Sequence, residues 1–403
     1  MKILQVNCLY NEGSTGKIVA DIHHAAKDAG IDSLVCYGNG RAWDEDGITK
    51  ISTPLYGKIQ ALISRVSGLM YGGCFLSTNK LIRIIKREKP DVVHLHCING
   101  HFVNIYRIVA WLNKNKIKTV LTLHAEIMHT ANCGHAYECE RWKTGCKGCP
   151  RPKEVTSSWF FNRTATSWER MKKAFSGFEN ISVVSVSPWL MNRAKEAPIL
   201  AGFEHTVVGN GIETGIFNRR AEAELAELRA RFAPNGEKII FHATPDFNDK
   251  EESLKGGIYV LGLAEALKAE GVRVVVAGPY EISGSIPDNV VMLGRVRDQN
   301  ELARLYSLAD LTLLTSKRET FSMVTAESLS CGTPVVGFCA GAPEEIAIPE
   351  YSEFVEYGDM QALCAALLST LSRDYDKEQI SERARDIYSK ERMLDNYYQT
   401  YLK

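Results

Sequence analysis

The stretch Ser316-Lys-Arg-Glu319-Thr-Phe321-Ser-Met-Val-Thr-Ala-Glu327 decides the fold of this chain. The apolar run at residues 311–315 precedes it and is typical of a buried strand, so Glu319 is expected in the loop at the C-terminal end of that strand. Residues 321–330 are predicted to form a helix that carries Glu327 two turns from its start. A Gly-Thr-Pro turn then leads into a second apolar run at 335–337. This order predicts part of a doubly wound α/β sheet.

The chemistry of the stretch favours a nucleotide-sugar as ligand. A helix that starts after a strand directs free backbone N–H groups and a positive helix end towards a crevice, which suits a phosphate. Carboxylates beside such a site do not hold phosphate; they accept hydrogen bonds from hydroxyl groups, as in a ribose and a sugar. Two glutamates eight positions apart also arise by chance in charged helices. The preceding strand and the following turn favour the functional interpretation.

This block resembles the Glu-x7-Glu signature of the retaining glycosyltransferases of family 4. The resemblance implies that Glu327 binds the donor ribose and that Glu319 contacts the donor sugar and takes part in catalysis. Phe321, Ser322 and Met323 belong to the same donor-binding block. The family usually has a glycine after the phenylalanine, where this chain has Ser322.

Length and composition indicate an ordinary two-domain protein. The chain has 403 residues, more than one core normally supports, with 45% hydrophobic and 24% charged residues. Its 48 acidic and 48 basic residues cancel, which argues against nucleic acid as a partner. No apolar run approaches the ~18–20 residues of a membrane span, and the first residues have no signal-peptide pattern. We therefore expect a cytoplasmic protein.

Strand-like runs alternate with amphipathic segments of helical length along the whole chain. Helices are predicted, for example, at residues 16–29, 259–269, 300–307 and 360–371. Strands are predicted at residues 2–7, 33–37, 92–96, 119–124, 181–185 and 206–208, and then at 238–242, 272–277, 290–293, 311–315 and 335–337.

The strand pattern restarts near Gly236, which predicts two Rossmann-like domains. The resemblance implies the GT-B fold, in which two such domains face a deep cleft and the last helix returns to the first domain. We predict an N-terminal acceptor domain at 1–212 with a Cys-rich insertion at 129–152, a nucleotide-sugar donor domain at 213–377, and a returning helix at 378–403.

Further donor-binding residues are predicted at strand ends of the second domain. Lys250 and Lys255 follow its first strand, and two lysines five residues apart can neutralise a diphosphate. The resemblance assigns both to the donor pyrophosphate, and Lys255 also to catalysis. It further places Gly278 and Arg295 at the nucleotide. Glu344 is either part of the site or an acid at a helix start.

In the first domain the resemblance points to a glycine and a histidine. Gly16 belongs to the turn that lets the backbone approach the donor phosphate. His124, at the end of a strand, corresponds to a catalytic histidine that contacts the donor sugar. His94 and His96 alternate on the preceding strand, and simple packing explains them as well. The Asp-x-Asp pair of metal-dependent transferases is absent, so no catalytic metal is expected.

Four of the eleven cysteines, Cys133, Cys139, Cys146 and Cys149, are clustered. Their C-x5-C-x6-C-x2-C spacing can supply four thiolates to a closed tetrahedral zinc site. We predict a structural zinc, with His135 as an alternative to Cys133. A redox disulfide and an unliganded loop are the alternatives. A related bacterial subgroup of family 4 that builds surface polysaccharides carries a similar insertion.

Residues 56–71 are amphipathic and include Lys58 and Arg65, and four more basic residues follow at 80–87. A basic amphipathic face can lie on a membrane surface, and a core-packing helix explains the pattern equally well. Peripheral contact with the inner membrane would agree with a lipid-linked acceptor.

Together with the family resemblance, the sequence thus predicts a retaining, metal-independent glycosyltransferase of the hexosyltransferase type. It would move a sugar from a nucleotide-sugar, UDP in preference to GDP, to a lipid-linked oligosaccharide during synthesis of O-antigen, capsule or exopolysaccharide. The front-face mechanism, with the leaving phosphate as base, is implied by the family alone. The alternatives are a nucleotide-sugar epimerase of the same fold and a non-catalytic nucleotide-sugar-binding subunit.

Overall fold

The computed structural model describes residues 1–403, which divide into two compact units. The N-terminal unit comprises residues 1–209 and 394–403, and the C-terminal unit comprises residues 210–393. Each unit is built on one parallel sheet with apolar strands, as expected for sheets that are covered by helices on both faces. No helix in the structure combines the length and the apolar composition that crossing a membrane requires.

The N-terminal unit contains a seven-stranded parallel sheet in the order β3-β2-β1-β4-β5-β6-β7. The strand order reverses between β1 and β4, whose C-terminal ends therefore flank the topological switch point. The strands are β1 (Lys2–Asn7), β2 (Asp32–Tyr37), β3 (Ile48–Lys50), β4 (Val92–Leu95), β5 (Thr119–Leu123), β6 (Ile181–Ser185) and β7 (Glu204–Val207). The helices are α1 (Gly13–Asp28), α2 (Pro54–Ser67), α3 (Phe75–Glu88), α4 (Ile105–Lys114), α5 (Ile127–Thr130), α6 (Pro152–Thr156), α7 (Thr164–Phe175) and α8 (Pro188–Glu196).

The C-terminal unit contains a six-stranded parallel sheet in the order β12-β10-β8-β13-β14-β15, with β9 and β11 paired separately. Its switch point lies between β8 and β13. The strands are β8 (Lys238–Ala243), β9 (Phe247–Asn248), β10 (Val272–Ala277), β11 (Tyr280–Glu281), β12 (Val290–Gly294), β13 (Leu311–Leu314), β14 (Val335–Phe338) and β15 (Ser352–Val355). The helices are α9 (Glu222–Phe232), α10 (Gly257–Ala266), α11 (Gln299–Leu308), α12 (Met323–Ser330), α13 (Pro343–Ile346), α14 (Met360–Leu371) and α15 (Lys377–Tyr388). Helix α16 (Lys390–Leu402) begins in this unit and belongs to the N-terminal unit from Leu394 onwards.

The two Rossmann-like sheets confirm the predicted architecture, but the last segment differs from the prediction. Residues 378–403 are not one helix, because α15 ends at Tyr388 and Ser389 pairs with Ile212 in a short parallel bridge. Residues 378–393 belong to the C-terminal unit, so the return to the N-terminal unit begins at Leu394. In this bridge the Ile212 N–H donates to the Tyr388 carbonyl, and the Lys390 N–H donates to the Ile212 carbonyl. A continuous helix through residue 389 would lack both hydrogen bonds.

Candidate active site

Lys255 and Glu319 meet at the switch point of the C-terminal sheet. Lys255 follows β8 and Glu319 follows β13, and these two strands are direct neighbours. The Lys255 Nζ donates to Glu319 Oε1 at 2.6 Å, with side chains that are 22% and 19% exposed. The sheet topology therefore brings together two residues that lie 64 positions apart in sequence. This edge of a doubly wound sheet is where such folds bind their ligands.

The backbone around Lys255 is fixed by the loop that follows β13. The Thr315 hydroxyl donates to the Lys255 carbonyl (2.8 Å), and the Lys317 N–H donates to the Leu254 carbonyl (2.8 Å). Gly256 has a φ of +64°, and a Cβ at this position would lie 2.4 Å from the Thr315 carbonyl oxygen. Only glycine combines this conformation with this close approach. The glycine after the lysine thus has a structural reason, which is to hold the two loops together.

Glu319 is held by a second loop, which Glu344 organises. The Glu319 N–H donates to the Ala340 carbonyl at 2.9 Å. Glu344 accepts hydrogen bonds from the backbone N–H groups of Ala340 (3.0 Å) and Gly341 (2.8 Å). The sequence left open whether Glu344 belongs to the site or is an acid at a helix start. In the structure it lies in the first turn of α13. There its carboxylate closes the loop against which Glu319 is positioned.

Helix α12 begins directly after Phe321 and Ser322, with Met323 as its first residue. Ser322 has a φ of +96°, in the region that favours glycine, which accounts for the glycine that family members carry here. Its hydroxyl compensates in part, since it accepts from the Thr325 N–H at 3.2 Å and caps the helix. Phe321 is buried beneath this turn. The N-terminal end of α12 thus starts at the sheet edge that carries Glu319.

Glu327 lies in α12 and is bound by a buried tyrosine. The Tyr306 hydroxyl donates to Glu327 Oε2 at 3.1 Å. Burial, together with the neighbouring Glu327 charge, raises the pKa of Tyr306 well above its ordinary value, so it remains a donor. Glu327 is half-buried, and the hydrogen bond from Tyr306 orients its carboxylate.

Three other predicted donor residues have different environments. Lys250 has an exposed side chain and lies outside the Lys255–Glu319 pair. Arg295 is likewise exposed, immediately after β12. Gly278 follows β10, and a Cβ there would lie 2.2 Å from the Thr244 carbonyl oxygen. Contact between neighbouring strand ends therefore requires glycine at 278 whether or not a nucleotide binds.

His124 belongs to a polar cluster of the N-terminal unit. It directly follows β5, and its Nε2 lies 3.2 Å from Nδ1 of His96. His96 Nε2 in turn lies 3.1 Å from the Gln5 amide oxygen, while the Gln5 amide nitrogen donates to the Val19 carbonyl (3.2 Å). Because that carbonyl accepts only, the orientation of the Gln5 amide is fixed, and His96 must donate through Nε2.

The tautomer of His124 follows from this chain of hydrogen bonds. His96 donates through Nε2, so its Nδ1 accepts, and His124 must donate through its own Nε2. Burial lowers the pKa of His124 to about 4, and burial also holds that of His96 well below its usual value. Both rings are therefore neutral near pH 7, and the Nδ1 atom of His124 is a hydrogen-bond acceptor. His96 and Gln5 position His124 rather than only filling the core.

Gly16 lies in the first turns of α1, beneath the loop that follows β1. The Asn11 N–H donates to the Gly16 carbonyl at 2.9 Å, and a Cβ on Gly16 would lie 3.3 Å from the Asn11 nitrogen. The loop therefore folds tightly over the start of the helix. The structure thus places Gly16 beside the end of β1, which flanks the switch point of its sheet.

Sequence reasoning missed a buried ion pair next to His124. Glu126 is fully buried, and its Oε1 accepts from Arg193 Nε at 2.6 Å. Its Oε2 accepts from the Ala136 N–H at 2.7 Å, so this carboxylate joins α8 to the Cys-rich insertion. Despite the cost of burial, His129 and Arg193 hold the pKa of Glu126 at about 2. The signal in the sequence was a lone acid two positions after the histidine.

The four clustered cysteines line one cavity of about 10 Å³, room for a single small ion or water molecule. None of the eleven cysteines forms a disulfide. As the side chains stand, no three His, Cys, Asp or Glu residues form a ready-made metal-binding group. The backbone gathers the cysteines around one point, and metal binding would require the thiols to turn into the cavity.

Comparison with known proteins identifies the class of this chain. The family described as "Glycosyl transferases group 1" matches residues 252–387, and the one described as "Glycosyl transferase 4-like" matches residues 57–138. The chain is 31% identical over 316 residues to N-acetyl-alpha-D-glucosaminyl L-malate synthase of Bacillus anthracis, covering 76% of this chain and 72% of that enzyme.

Two further similarities span the full length. The chain is 23% identical to WcaC of Escherichia coli K12, a protein whose name assigns it to colanic acid biosynthesis as a glycosyl transferase; the match covers 100% of this chain and 99% of WcaC. The solved structure of Anabaena HepE, a complex with UDP, superposes with a TM-score of 0.65 at 15% identity, covering 99% of each chain.

These matches confirm the GT-B fold and define a glycosyltransferase, an enzyme of class EC 2.4. The chain belongs to the group 1 glycosyl transferases of family 4.

Proposed function

We propose that this enzyme transfers a sugar from a UDP-sugar to a lipid-linked oligosaccharide, with retention of configuration, during synthesis of a bacterial surface polysaccharide. The observation that carries the proposal is the Lys255–Glu319 pair at the switch point of the C-terminal sheet. It combines one cation for a diphosphate with one acceptor for sugar hydroxyls. HepE, whose solved complex contains UDP, supports the nucleotide, and WcaC supports the polysaccharide role.

Each residue has a separate task in this proposal. Lys255 neutralises charge that grows on the diphosphate as the glycosidic bond breaks, and the N-terminus of α12 adds its N–H groups. Glu319 accepts from the sugar hydroxyls, and Glu327 accepts from the ribose. His124 contacts the donor sugar. Since Lys255 supplies the counter-charge, we expect catalysis to proceed without a metal ion.

Glu327 gives the most direct test of the donor assignment. Glu327→Gln keeps an acceptor for Tyr306 but removes the charge, and Glu327→Ala removes both. We expect Glu327→Ala to weaken UDP binding by about tenfold or more, since hydrogen bonds to charged groups contribute ~1.5–3 kcal/mol. Turnover at saturating donor should change less, because the ribose contact exists in ground and transition states alike.

Calorimetric titration with UDP and GDP, followed by transfer assays from a panel of nucleotide-sugars, measures these effects. Glu301→Ala, an exposed acid on α11, is the matched control and should bind UDP normally. NMR of the product would establish the anomeric configuration. Tighter binding of GDP than UDP, or unchanged binding by Glu327→Ala, would contradict the assignment.

We also propose a structural zinc in the Cys-rich insertion, because four cysteines surround one ion-sized cavity and none is in a disulfide. Purified protein should contain about one zinc per chain. Cys149→Ser should lose the metal and lower the melting temperature, since metal binding is coupled to folding of the loop. Cys364→Ser, a half-buried cysteine elsewhere, should change neither. Metal-free protein that melts at the same temperature as zinc-loaded protein would disprove the proposal.

A further inference from the structure

Helix α2 in the N-terminal unit has its apolar side outward. Leu55, Ile59, Leu62, Ile63 and Val66 follow the spacing of one helical face, and all five are exposed, Leu55 to 69%. The residues on the opposite side of α2 are mostly small or polar. Ser64 is the only buried residue of the whole helix. A helix that packs on a core buries its apolar stripe, so this reversal requires another explanation.

Two neighbouring segments extend the stripe into a larger surface. The first is the start of α3, where Leu76 is 70% exposed and its N–H donates to the Tyr56 hydroxyl of α2 (3.2 Å). The second is Trp159-Phe160-Phe161, whose Trp159 N–H donates to the Arg65 carbonyl at 2.9 Å. Phe160 is 70% exposed. We call the exposed apolar residues of 55–76 and 159–161 the apolar face.

The apolar face is unusual within this protein. Ten of the seventeen exposed large hydrophobic residues of the chain fall in these two short segments. Single exposed hydrophobic residues need no explanation, whereas a contiguous group marks an interaction surface. Aromatic residues of this kind favour the boundary between water and lipid, where an apolar ring lies beside polar groups.

The two segments that form the apolar face carry basic but no acidic side chains. Residues 51–87 and 155–168 contain no Asp or Glu. Lys58 and Arg65 lie on α2 itself, the Arg163 guanidinium is 5.0 Å from the Phe161 ring, and that of Arg107 is 5.7 Å from the Phe75 ring. A basic rim around an apolar centre complements a surface of anionic lipids. It disfavours an isologous dimer, which would place the same cations opposite each other.

We propose that the apolar face docks this enzyme on an anionic lipid bilayer, with α2 lying in the interface and the Trp-Phe-Phe segment inserted beside it. This surface is separate from the proposed donor site in the C-terminal unit, since none of its residues takes part in the Lys255–Glu319 or Tyr306–Glu327 hydrogen bonds. A docked enzyme would meet a lipid-linked acceptor in the plane of the membrane, but the docking itself does not depend on that acceptor.

Flotation with vesicles tests the docking without donor or acceptor. The protein should bind vesicles of phosphatidylcholine mixed with phosphatidylglycerol at least about tenfold more strongly than pure phosphatidylcholine, because each basic residue near the surface contributes ~1 kcal/mol. The double variant Leu62→Ser/Phe160→Ser should weaken this binding by about tenfold or more, since it removes two buried apolar side chains from the bound state. Added salt should weaken it as well.

Matched controls keep the result interpretable. Leu368→Ser/Ile387→Ser removes two exposed apolar residues of the C-terminal unit and should bind vesicles like the parent chain. All variants should melt at the parent temperature and hydrolyse or transfer the donor sugar at the parent rate with a water-soluble acceptor. Vesicle binding that survives Leu62→Ser/Phe160→Ser, or is absent in the parent, would overturn the proposal. A dimer in light scattering that this variant dissociates, without vesicle binding, would assign the apolar face to a second copy.

Discussion

Replacing Lys255 by alanine should lower turnover at saturating donor by about 10²-fold or more, the effect expected for a lost donor to developing negative charge. The Lys255 Nζ lies at the switch point of the C-terminal sheet, 2.6 Å from Glu319. Negative charge on the diphosphate grows as the glycosidic bond breaks, so the cation stabilises the transition state more than the ground state. Single-turnover measurements would separate this effect from product release.

The pair with Glu319 makes the controls essential. Lys255→Ala also leaves Glu319 half-buried without its cation, which could lower turnover by disturbing the loop. The double variant Lys255→Ala/Glu319→Gln removes that unpaired charge, and a double-mutant cycle measures the coupling of the two residues. Lys268→Ala, which breaks a surface ion pair with Asp288, should retain parent activity. Normal transfer by Lys255→Ala would refute the donor-site assignment.

The sequence predicted the strands that carry the site more reliably than the contacts between them. Periodicity and strand-end position placed Lys255, Glu319 and Glu327 at one edge of a parallel sheet. The hydrogen bond between Lys255 and Glu319 was not predictable, because it depends on β8 and β13 being neighbours. Strand order is a long-range property that local patterns do not encode.

Features that depend on local backbone geometry were also missed. The helix was predicted from residue 321 but begins at Met323, because Ser322 adopts a positive φ. The short edge strands β3 and β15 have too little alternation to distinguish them from loops. The break at Ser389 has no proline or glycine to signal it, and only its bridge to Ile212 explains it.

The amphipathic pattern of α2 shows a different limit of the sequence. Periodicity indicates that one face of a helix is apolar, but it does not indicate whether that face points to the core or to solvent. The sequence therefore left packing and membrane contact as equal alternatives. The exposure of Leu55 and Leu62 in the structure decides against the core.

His124→Ala should lower turnover by about 10²-fold while leaving UDP affinity unchanged, because the side chains proposed to bind the nucleotide, Lys255 and Glu327, lie in the other unit. The tautomer fixed by His96 and Gln5 makes Nδ1 the accepting nitrogen of His124, and the proposal assigns a donor-sugar hydroxyl to it. The amide group of an asparagine can occupy the place of Nδ1, whereas that of a glutamine occupies the place of Nε2. His124→Asn should therefore retain more activity than His124→Gln. His96→Phe removes the hydrogen-bond partner that orients His124. This variant should therefore lower the turnover of the enzyme without changing its affinity for UDP.

The pH profile provides an independent readout for the same residue. With a pKa of about 4, His124 stays neutral from pH 6 to pH 8, so its titration should contribute no change in rate over this range. A group with its ordinary pKa of ~6.5 would lose its proton there. Calorimetry with UDP and single-turnover transfer at each pH measure both quantities. Full activity of His124→Gln, or a rate that follows a pKa near 6.5 in the parent and not in His124→Asn, would contradict a neutral histidine that accepts through Nδ1.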